Sequence, residues 1–272
     1  MLFFFVLCIF LSSFLQNRHI INPIKKKIDK EKFLVTSNGS TTMSPLLEML
    51  SEEFSKINPS FSYQKSETGS AAAVTSVIQG VSDLGDMSRK LKNEEISENI
   101  VQKTLALDGI AIIVNNSNPI INLESKEIKE IFEGKVKNWS EIYPNFNSKI
   151  SVVGREDASG TREEFENKLN VFDPNYHIIL NESGDISAKV SNCESAIGYV
   201  SIASVSGNVH KIKVDGIVCS YENIKNGTYP INRPFLQIYK KKLKNEAIEK
   251  WFKFLETKNA EKIIDSYFNR NN

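Results

Sequence analysis

The feature that most constrains this chain is an alternation of short apolar runs with segments whose apolar residues recur at helical spacing. The apolar runs have the length of strands, and the segments between them end at turn residues such as Asn58-Pro59 and Gly80. This order predicts an α/β fold in which helices cover a parallel sheet. Strands are predicted at 33–35, 61–66, 83–88 and 105–114, with helices at 43–57 and 70–79.

A second run of the same kind follows, and it indicates a second lobe. Helices are predicted at 125–132, 161–169 and 185–190, and strands at 150–153, 176–180 and 196–200. A strand-like run at 235–239 and an amphipathic helix through Leu255 come last. We expect lobe I at 32–112 plus 226–272, lobe II at 113–225, and hinge crossings near Asn115 and near Asn226-Gly227.

The composition excludes several classes of protein. The chain has 272 residues with 34 Lys and Arg against 33 Asp and Glu, a net charge of +1, so it lacks the basic surface that nucleic-acid binding needs. Its three cysteines, Cys8, Cys193 and Cys219, form no metal-ligand pattern. We therefore expect no metal and no other cofactor. Whether Cys193 pairs with Cys219 in an oxidising compartment stays open.

The N-terminal segment indicates export. Residues 1–16 are almost entirely apolar, too short for an easy membrane span and suited to the apolar region of a secretory signal. A typical secretory signal has a basic residue before its apolar run, but here the first basic residue, Arg18, follows the run. Four outcomes therefore stay open for this segment: cleavage, retention as a membrane anchor, lipid modification and a buried N-terminal helix. We expect residues 1–31 to form the signal or anchor and its tether, and the rest to be extracytoplasmic.

Three loops rich in serine and threonine carry the chemistry. They are Gly39-Ser40-Thr41-Thr42, Thr68-Gly69-Ser70-Ala71 and Asp157-Ala158-Ser159-Gly160-Thr161-Arg162. Each comes directly before an amphipathic helix, where unsatisfied N–H groups and the helix dipole favour an anion. Arg155 and Arg162 add cations that can bind an oxyanion bidentately. The loops predict an anion site, but plain helix capping is the alternative, with a capping box formed by Thr161 and Glu164.

Longer stretches around these loops resemble one protein family. The stretches are NGSTTMSPLLEML (38–50), ETGSAAAVTSVIQGVSDLGDMSRKL (67–91), ALDGIAIIVN (106–115), IKEIFEGKVKNWSEI (128–142), VVGREDASGTREEF (152–165) and AIGYVS (196–201). In this order, and over nearly all of residues 33–201, they resemble the PstS-type phosphate-binding proteins of phosphate ABC transporters. The IFEGKVKNWSEI and GREDASGTR stretches are the most specific.

The resemblance implies a two-lobed periplasmic-binding-protein fold of type II, with one phosphate ion bound in the cleft between the lobes. It implies delivery to a membrane permease with cytoplasmic ATPase subunits, by a monomer without catalytic residues. Asp157 is expected to orient Arg155, or else to make a loop turn. The ligand set implied by position is Ser40, Thr41 and Thr42 in the first loop, Ser70 in the second, and Arg155, Ser159, Gly160 and Thr161 in the other lobe.

One position departs from the family pattern. Where some members carry an Asp that accepts the proton of hydrogen phosphate, this chain has Ser88, followed by Arg89. We expect Asp108 to supply the carboxylate, with Asp86 as the alternative, since a carboxylate discriminates against fully ionised sulfate. A turn role for Asp108 also stays open. Arg89 is expected as a second cation for the anion, or as an ion-pair partner of one of these two carboxylates.

Three other functions are considered. The protein could bind another oxyanion such as sulfate, molybdate or tungstate, or it could sense or scavenge phosphate without delivering it. A hydrolase using Ser40, Ser70 or Ser159 as nucleophile is the weakest alternative, because the sequence has no G-x-S-x-G elbow, no P-loop and no histidine near these loops.

Overall fold

The computed structural model describes residues 33–243 and 246–269, so the predicted signal and tether at 1–31 lie outside the described residues. The strands are β1 (Phe33–Gly39), β2 (Phe61–Glu67), β3 (Leu84–Met87), β4 (Ile100–Asn115), β5 (Asn122–Leu123), β6 (Ser151–Arg155), β7 (Ile178–Leu180), β8 (Ala196–Ser201), β9 (Val209–Lys211), β10 (Lys213–Val214) and β11 (Asn232–Lys240). The α-helices are α1 (Ser44–Ile57), α2 (Ser70–Gln79), α3 (Ser125–Phe132), α4 (Gly160–Leu169), α5 (Ser183–Ser191), α6 (Tyr221–Lys225), α7 (Glu246–Leu255) and α8 (Lys258–Asn269). Within these described ranges, no helix has both the length and the apolar character needed to span a membrane.

A single large sheet runs through the molecule. Its strand order is β2-β1-β3-β11-β4-β8-β6-β7, with β9 also paired to β4, and β5 and β10 form a separate pair. β1 is parallel to β2 and β3, and β6 is parallel to β7 and β8. β11 runs antiparallel between β3 and β4, and β4 is antiparallel to β8. The predicted α/β class is confirmed. The expectation of a wholly parallel sheet is wrong, because the late strand β11 inserts into the middle.

The longest strand, β4, joins the two halves of the molecule. Its first part, up to Gly109, pairs with β11, and its last part, from Ile110 to Val114, pairs with β8. We call β2, β1, β3 and β11 with their helices the first lobe, and β8, β6 and β7 with theirs the second lobe. The chain therefore crosses between the lobes along one continuous strand and returns between β10 and β11. We call the space where loops of the two lobes meet the cleft.

The helices follow from the local sequence. α1 buries an apolar face made by Leu46, Leu47, Leu50 and Phe54. α2 ends at Gly80, whose φ of 72° lies in the left-handed region that glycine adopts without strain. The predicted helix through Leu255 is α7, which buries Ile248, Trp251 and Phe252. The last helix, α8, was not predicted, although it buries Ile264, Tyr267 and Phe268.

Two tryptophans anchor the core of the two lobes. Trp139 and Trp251 are fully buried in the hydrophobic core. Each indole N–H has an acceptor: Trp139 Nε1 donates to the Ser195 carbonyl oxygen at 3.0 Å and Trp251 Nε1 to Gln237 Oε1 at 2.8 Å. Cys193 and Cys219 are both free thiols, so the disulfide that the sequence left open is not formed. Among the described residues, no group of three or more His, Cys, Asp or Glu side chains could hold a metal ion.

Candidate functional site

The candidate site begins where strands β1 and β3 end side by side in the first lobe. Gly39 ends β1 with a φ of 143°, and a Cβ atom there would lie 2.1 Å from the Asp86 carbonyl oxygen. The Ser40 N–H donates to that same oxygen at 2.8 Å. Glycine is therefore required at position 39, because any side chain would push apart the two loops that this hydrogen bond draws together.

Hydroxyl groups from both lobes meet in the cleft. Thr42 Oγ1, which precedes α1 in the first lobe, lies 3.0 Å from Thr161 Oγ1 and 3.3 Å from Ser183 Oγ, at the starts of α4 and α5 in the second lobe. On the first-lobe side, Ser70 Oγ lies 3.3 Å from Ser88 Oγ and accepts the Ser88 N–H at 3.0 Å. All of these side chains are buried. The cleft is thus lined by uncharged groups that can donate hydrogen bonds.

The start of α4 faces the hydroxyls of the first lobe at close range. A Cβ atom on Gly160 would lie 2.4 Å from Ser70 Oγ and 2.9 Å from Ser88 Oγ, so only glycine fits. The first-turn N–H groups of a helix have no acceptor within their own helix, and the helix dipole places partial positive charge there. α1, α2, α4 and α5 all begin at this cleft, which gives it a positive potential without a bound cation.

Arg155 brings a positive charge to the hydroxyl groups of the cleft. It is 1% exposed, and its Nη2 donates to Thr41 Oγ1 across the cleft at 3.0 Å and to the Asn181 carbonyl oxygen at 2.6 Å. Its Nη1 donates to Ser183 Oγ at 3.1 Å. Its carboxylate partner is the partly exposed Glu156, bonded at 3.1 Å and 3.2 Å. Most of its donors therefore point at neutral oxygens in or beside the cleft.

Most of the predicted ligand set meets in this cleft. Thr41, Thr42, Ser70, Ser88, Arg155, Gly160 and Thr161 all contact another member of the set across it or along its wall. Ser40 lies on the first loop, held by its N–H to Asp86. Ser159 is the N-cap of α4 and accepts the Arg162 N–H at 3.3 Å. The predicted capping box is wrong, because Ser159 caps the helix and Glu164 accepts the Lys90 N–H at 2.9 Å instead.

The structure gives Arg89 partners other than those expected. Its guanidinium binds both carboxylate oxygens of Glu95, at 2.6 Å and 2.7 Å, and lies 2.9 Å from Glu163. The expected ion pair with Asp108 or Asp86 is not formed. Since two carboxylates already balance this guanidinium, we no longer assign Arg89 to the anion.

The structure also gives Asp108 internal partners. Asp108 faces Arg233 across the β4–β11 register, and its Oδ2 accepts from Arg233 Nε at 2.9 Å and Nη2 at 2.8 Å. Its Oδ1 accepts from Ser201 Oγ at 2.7 Å. Arg233 Nη1 donates to the Ser88 carbonyl oxygen at 3.0 Å, which places the guanidinium between Asp108 and the cleft. We therefore do not retain Asp108 as the acceptor of a ligand proton.

Two other acidic residues have roles that differ from expectation. Asp157 pairs with Arg162 and its side chain is 93% exposed, so Glu156 and not Asp157 holds Arg155. Asp86 is buried behind the first loop and accepts from Gln237 Nε2 at 2.8 Å. Desolvation raises the pKa of Asp86 to about 6, while the hydrogen bond from Gln237 and the charge of Lys65 oppose that shift.

Sequence reasoning missed two groups of the site. Ser183 repeats the signal of the other loops, a hydroxyl beside a glycine at a helix start after a strand, so it was open to prediction. Arg233 carried no such signal, because only the register of β11 against β4 brings it to Asp108 and Ser88.

Two lobes about a cleft, with an arginine and hydroxyls that meet from both sides, define a substrate-binding protein of the periplasmic-binding-protein type. Residues 25–258 match the model of a family described as PBP superfamily domain. The phosphate-binding protein PstS of Bacillus subtilis is 30% identical over 207 residues, which are 75% of this chain and 69% of that protein. The phosphate-binding protein PstS of Borreliella burgdorferi is 22% identical over 253 residues, 88% of this chain and 90% of that protein.

Solved structures give the same result. A phosphate ABC transporter substrate-binding protein with bound phosphate from Clostridium perfringens is 34% identical, with a TM-score of 0.82 over 86% of this chain and 98% of that one. An ABC-type phosphate transport receptor from Vibrio cholerae is 30% identical, with a TM-score of 0.75 over the same shares. The chain belongs to the PstS family of the PBP superfamily, which confirms the predicted family and its two-lobed fold.

Proposed function

We propose that this protein binds inorganic phosphate in the cleft between its lobes, outside the cytoplasmic membrane, and delivers it to an ABC permease for import. The observation that carries the proposal is the position of Arg155. Its buried guanidinium reaches Thr41 in the first lobe and Ser183 in the second, among hydroxyls and helix starts. A phosphate dianion needs such a combination of one cation and many neutral donors.

The proposed ligand set follows from this geometry. Thr41, Thr42, Ser70, Ser88, Arg155, Gly160 and Thr161 are proposed to contact the anion, with Ser183 added and with Ser40 and Ser159 shaping the loops that hold it. Both lobes contribute, so the anion bridges them and its binding favours the closed form. We place the crossings at 109–110 in β4 and within 215–231, where the chain leaves β10 of the second lobe and reaches β11 of the first.

Partners and location come from membership of the family. The relatives from Clostridium perfringens and Vibrio cholerae are described as proteins of phosphate ABC transport. We propose the corresponding partner here, a membrane permease with cytoplasmic ATPase subunits, served by a monomer. A binding protein needs no turnover, and the serines of the cleft bond to one another and to threonines, with no histidine in these contacts to activate them.

Titration calorimetry on the purified protein tests the proposal. We expect tight binding of phosphate and much weaker binding of sulfate and molybdate at the same concentrations. We also expect the melting temperature to rise with the logarithm of phosphate concentration, because only the folded state binds.

The outcomes separate the alternatives. Stronger binding of sulfate, molybdate or tungstate than of phosphate would make this a receptor for another oxyanion. A melting temperature indifferent to millimolar phosphate and to these other anions would leave the hydroxyls as helix caps only. Release of phosphate from a phosphate ester would indicate the hydrolase.

A further inference from the structure

A group of charged contacts crosses the cleft beside the proposed phosphate site. Arg89 and Lys92 follow β3 in the first lobe, and Glu163 and Glu164 lie on α4 in the second. Glu163 lies 2.9 Å from Arg89 Nε and 3.2 Å from Lys92 Nζ. Glu164 accepts the Lys90 N–H at 2.9 Å. Every one of these contacts joins one lobe to the other without passing through the anion site.

Arg89 is held in place from its own lobe. Glu95, which is also in the first lobe, binds two of its nitrogens at 2.6 Å and 2.7 Å, and the arginine side chain is only 2% exposed. A guanidinium fixed in this way keeps its Nε within ion-pair distance of Glu163, although the Nε–H makes no hydrogen bond among the described residues. Because Arg89 keeps its partner Glu95 when the lobes separate, the only ion pair that this guanidinium loses on opening is the one with Glu163.

We propose that Arg89 and Glu163, supported by Lys92, form a latch that stabilises the closed lobes. The proposal rests on the function proposed above and adds a positioning role for residues that do not touch the anion. The observed affinity of a binding protein equals the intrinsic affinity of its closed form multiplied by the fraction of ligand-free molecules that are closed. The latch therefore sets how tightly an anion is held without setting which anion is chosen.

Solvent reaches the latch from one side. A groove of about 630 Å³ opens at this part of the cleft and is lined by Lys92, Asp157, Arg162, Glu163 and Glu166, among others. Ion pairs open to solvent are screened by salt, whereas fully buried ones are screened much less. The latch should therefore stabilise the closed lobes less as ionic strength rises.

The test compares Glu163→Gln with the control Glu166→Gln. Glu166 lies on the same helix and pairs with Arg162 at 2.8 Å, but this pair stays within the second lobe. We expect Glu163→Gln to weaken binding of phosphate and of arsenate alike, by about three- to tenfold, with a faster dissociation rate. The control should bind both anions as the wild type does. Lys92→Gln should also weaken binding of both anions, but less than Glu163→Gln does, because the Lys92 side chain is half-exposed.

A second measurement does not depend on phosphate. Small-angle scattering of the anion-free proteins should give a larger radius of gyration for Glu163→Gln than for the wild type and the control. If the wild type binds no phosphate, the proposed function fails, and this comparison still tests the latch. Raising the salt concentration should narrow the affinity difference between wild type and Glu163→Gln.

Two results would overturn the latch. One is a Glu163→Gln variant with unchanged affinity and unchanged radius of gyration. The other is a change in the ratio of phosphate to arsenate affinity in the same variant, which would mean that this region contacts the anion itself.

Discussion

Two buried arginines, Arg155 and Arg233, lie beside the same cleft and differ in what neutralises them. Arg233 is fully buried and pairs through two nitrogens with Asp108, which is fully buried as well. Arg155 is equally buried, but its carboxylate partner Glu156 is partly exposed and its other contacts are neutral oxygens. The charge of Arg233 is balanced inside the protein, whereas the neutral contacts of Arg155 support our proposal that its charge serves a ligand.

A third buried charge extends this comparison. Asp86 has neighbours such as Gln237 and no ion-pair partner among the described side chains, and desolvation raises its pKa to about 6. A carboxyl group in such a place can take up a proton, whereas an arginine cannot lose one at ordinary pH. Burial raises the pKa of Asp108 too, but Arg233 and Ser201 oppose that rise. An arginine among neutral groups remains charged and therefore attracts an anion.

The largest effect is expected on breaking the Asp108–Arg233 pair. Asp108→Asn leaves a buried guanidinium without its counter-charge, and we expect it to lower the free energy of unfolding by about 3–5 kcal/mol. Urea denaturation would measure this loss. The double variant Asp108→Asn with Arg233→Met should recover part of it, since both charges are then removed. A loss below about 1 kcal/mol in the single variant would show that the pair is not structural.

The next effect concerns Asp86 and pH. Its folded-state pKa of about 6 lies above the ordinary value of 3.8, so the folded state favours the protonated form. Protonated Asp86 therefore stabilises the folded state, by up to about 3 kcal/mol relative to the ionised form. This stabilisation is fully present below about pH 4 and is lost as pH rises through 6. Asp86→Asn keeps an uncharged acceptor for Gln237 and should lack this dependence. We therefore expect the wild type to lose unfolding free energy relative to Asp86→Asn as pH rises. Denaturation of both proteins from about pH 4 to pH 8 measures this difference. A constant difference would contradict the assignment.

Arg155→Ala tests the availability of the other arginine. Only neutral donors would remain for a dianion, so we expect phosphate affinity to fall about ten- to a hundredfold. Titration calorimetry measures the effect, and an unchanged far-ultraviolet spectrum checks the fold. Arg155→Lys should lose less affinity, because it keeps the charge but not the forked geometry. A folded Arg155→Ala protein with wild-type affinity would place the anion elsewhere.

Thr41→Val should have the smallest effect. The change removes the hydroxyl that accepts from Arg155 Nη2 at 3.0 Å and keeps the shape of the side chain. Losing one neutral hydrogen-bonding group costs about 1 kcal/mol, or roughly fivefold in phosphate affinity. Thr228→Val is the matched control, since that hydroxyl bonds to Asn226 on an exposed turn. Equal affinities for the two variants would exclude Thr41 from the site.

The local sequence determined much of the fold. Periodic apolar residues located α1, α2, α4 and α7, and glycine or asparagine marked where several of them end. The first-turn hydroxyls and glycines identified the loops that line the cleft, because capping and anion binding both use the same unsatisfied N–H groups. These signals lie within a few residues of one another along the chain, so they are readable without knowing the fold.

Only the tertiary structure decided how the charges are paired. Asp108 and Arg233 are far apart along the chain, and Arg89 and Glu163 lie in different lobes. Their partners depend on the register of β11 in the middle of the sheet and on the closure of the lobes, and neither is encoded by spacing. The energy of a charge is set by its partners and its burial. The sequence therefore named Arg155 and Arg89 as candidate cations, and the structure showed that Arg89 pairs with Glu95 and Glu163 and that Asp108 pairs with Arg233. These pairings support our proposal that Arg155 is the cation of the anion site.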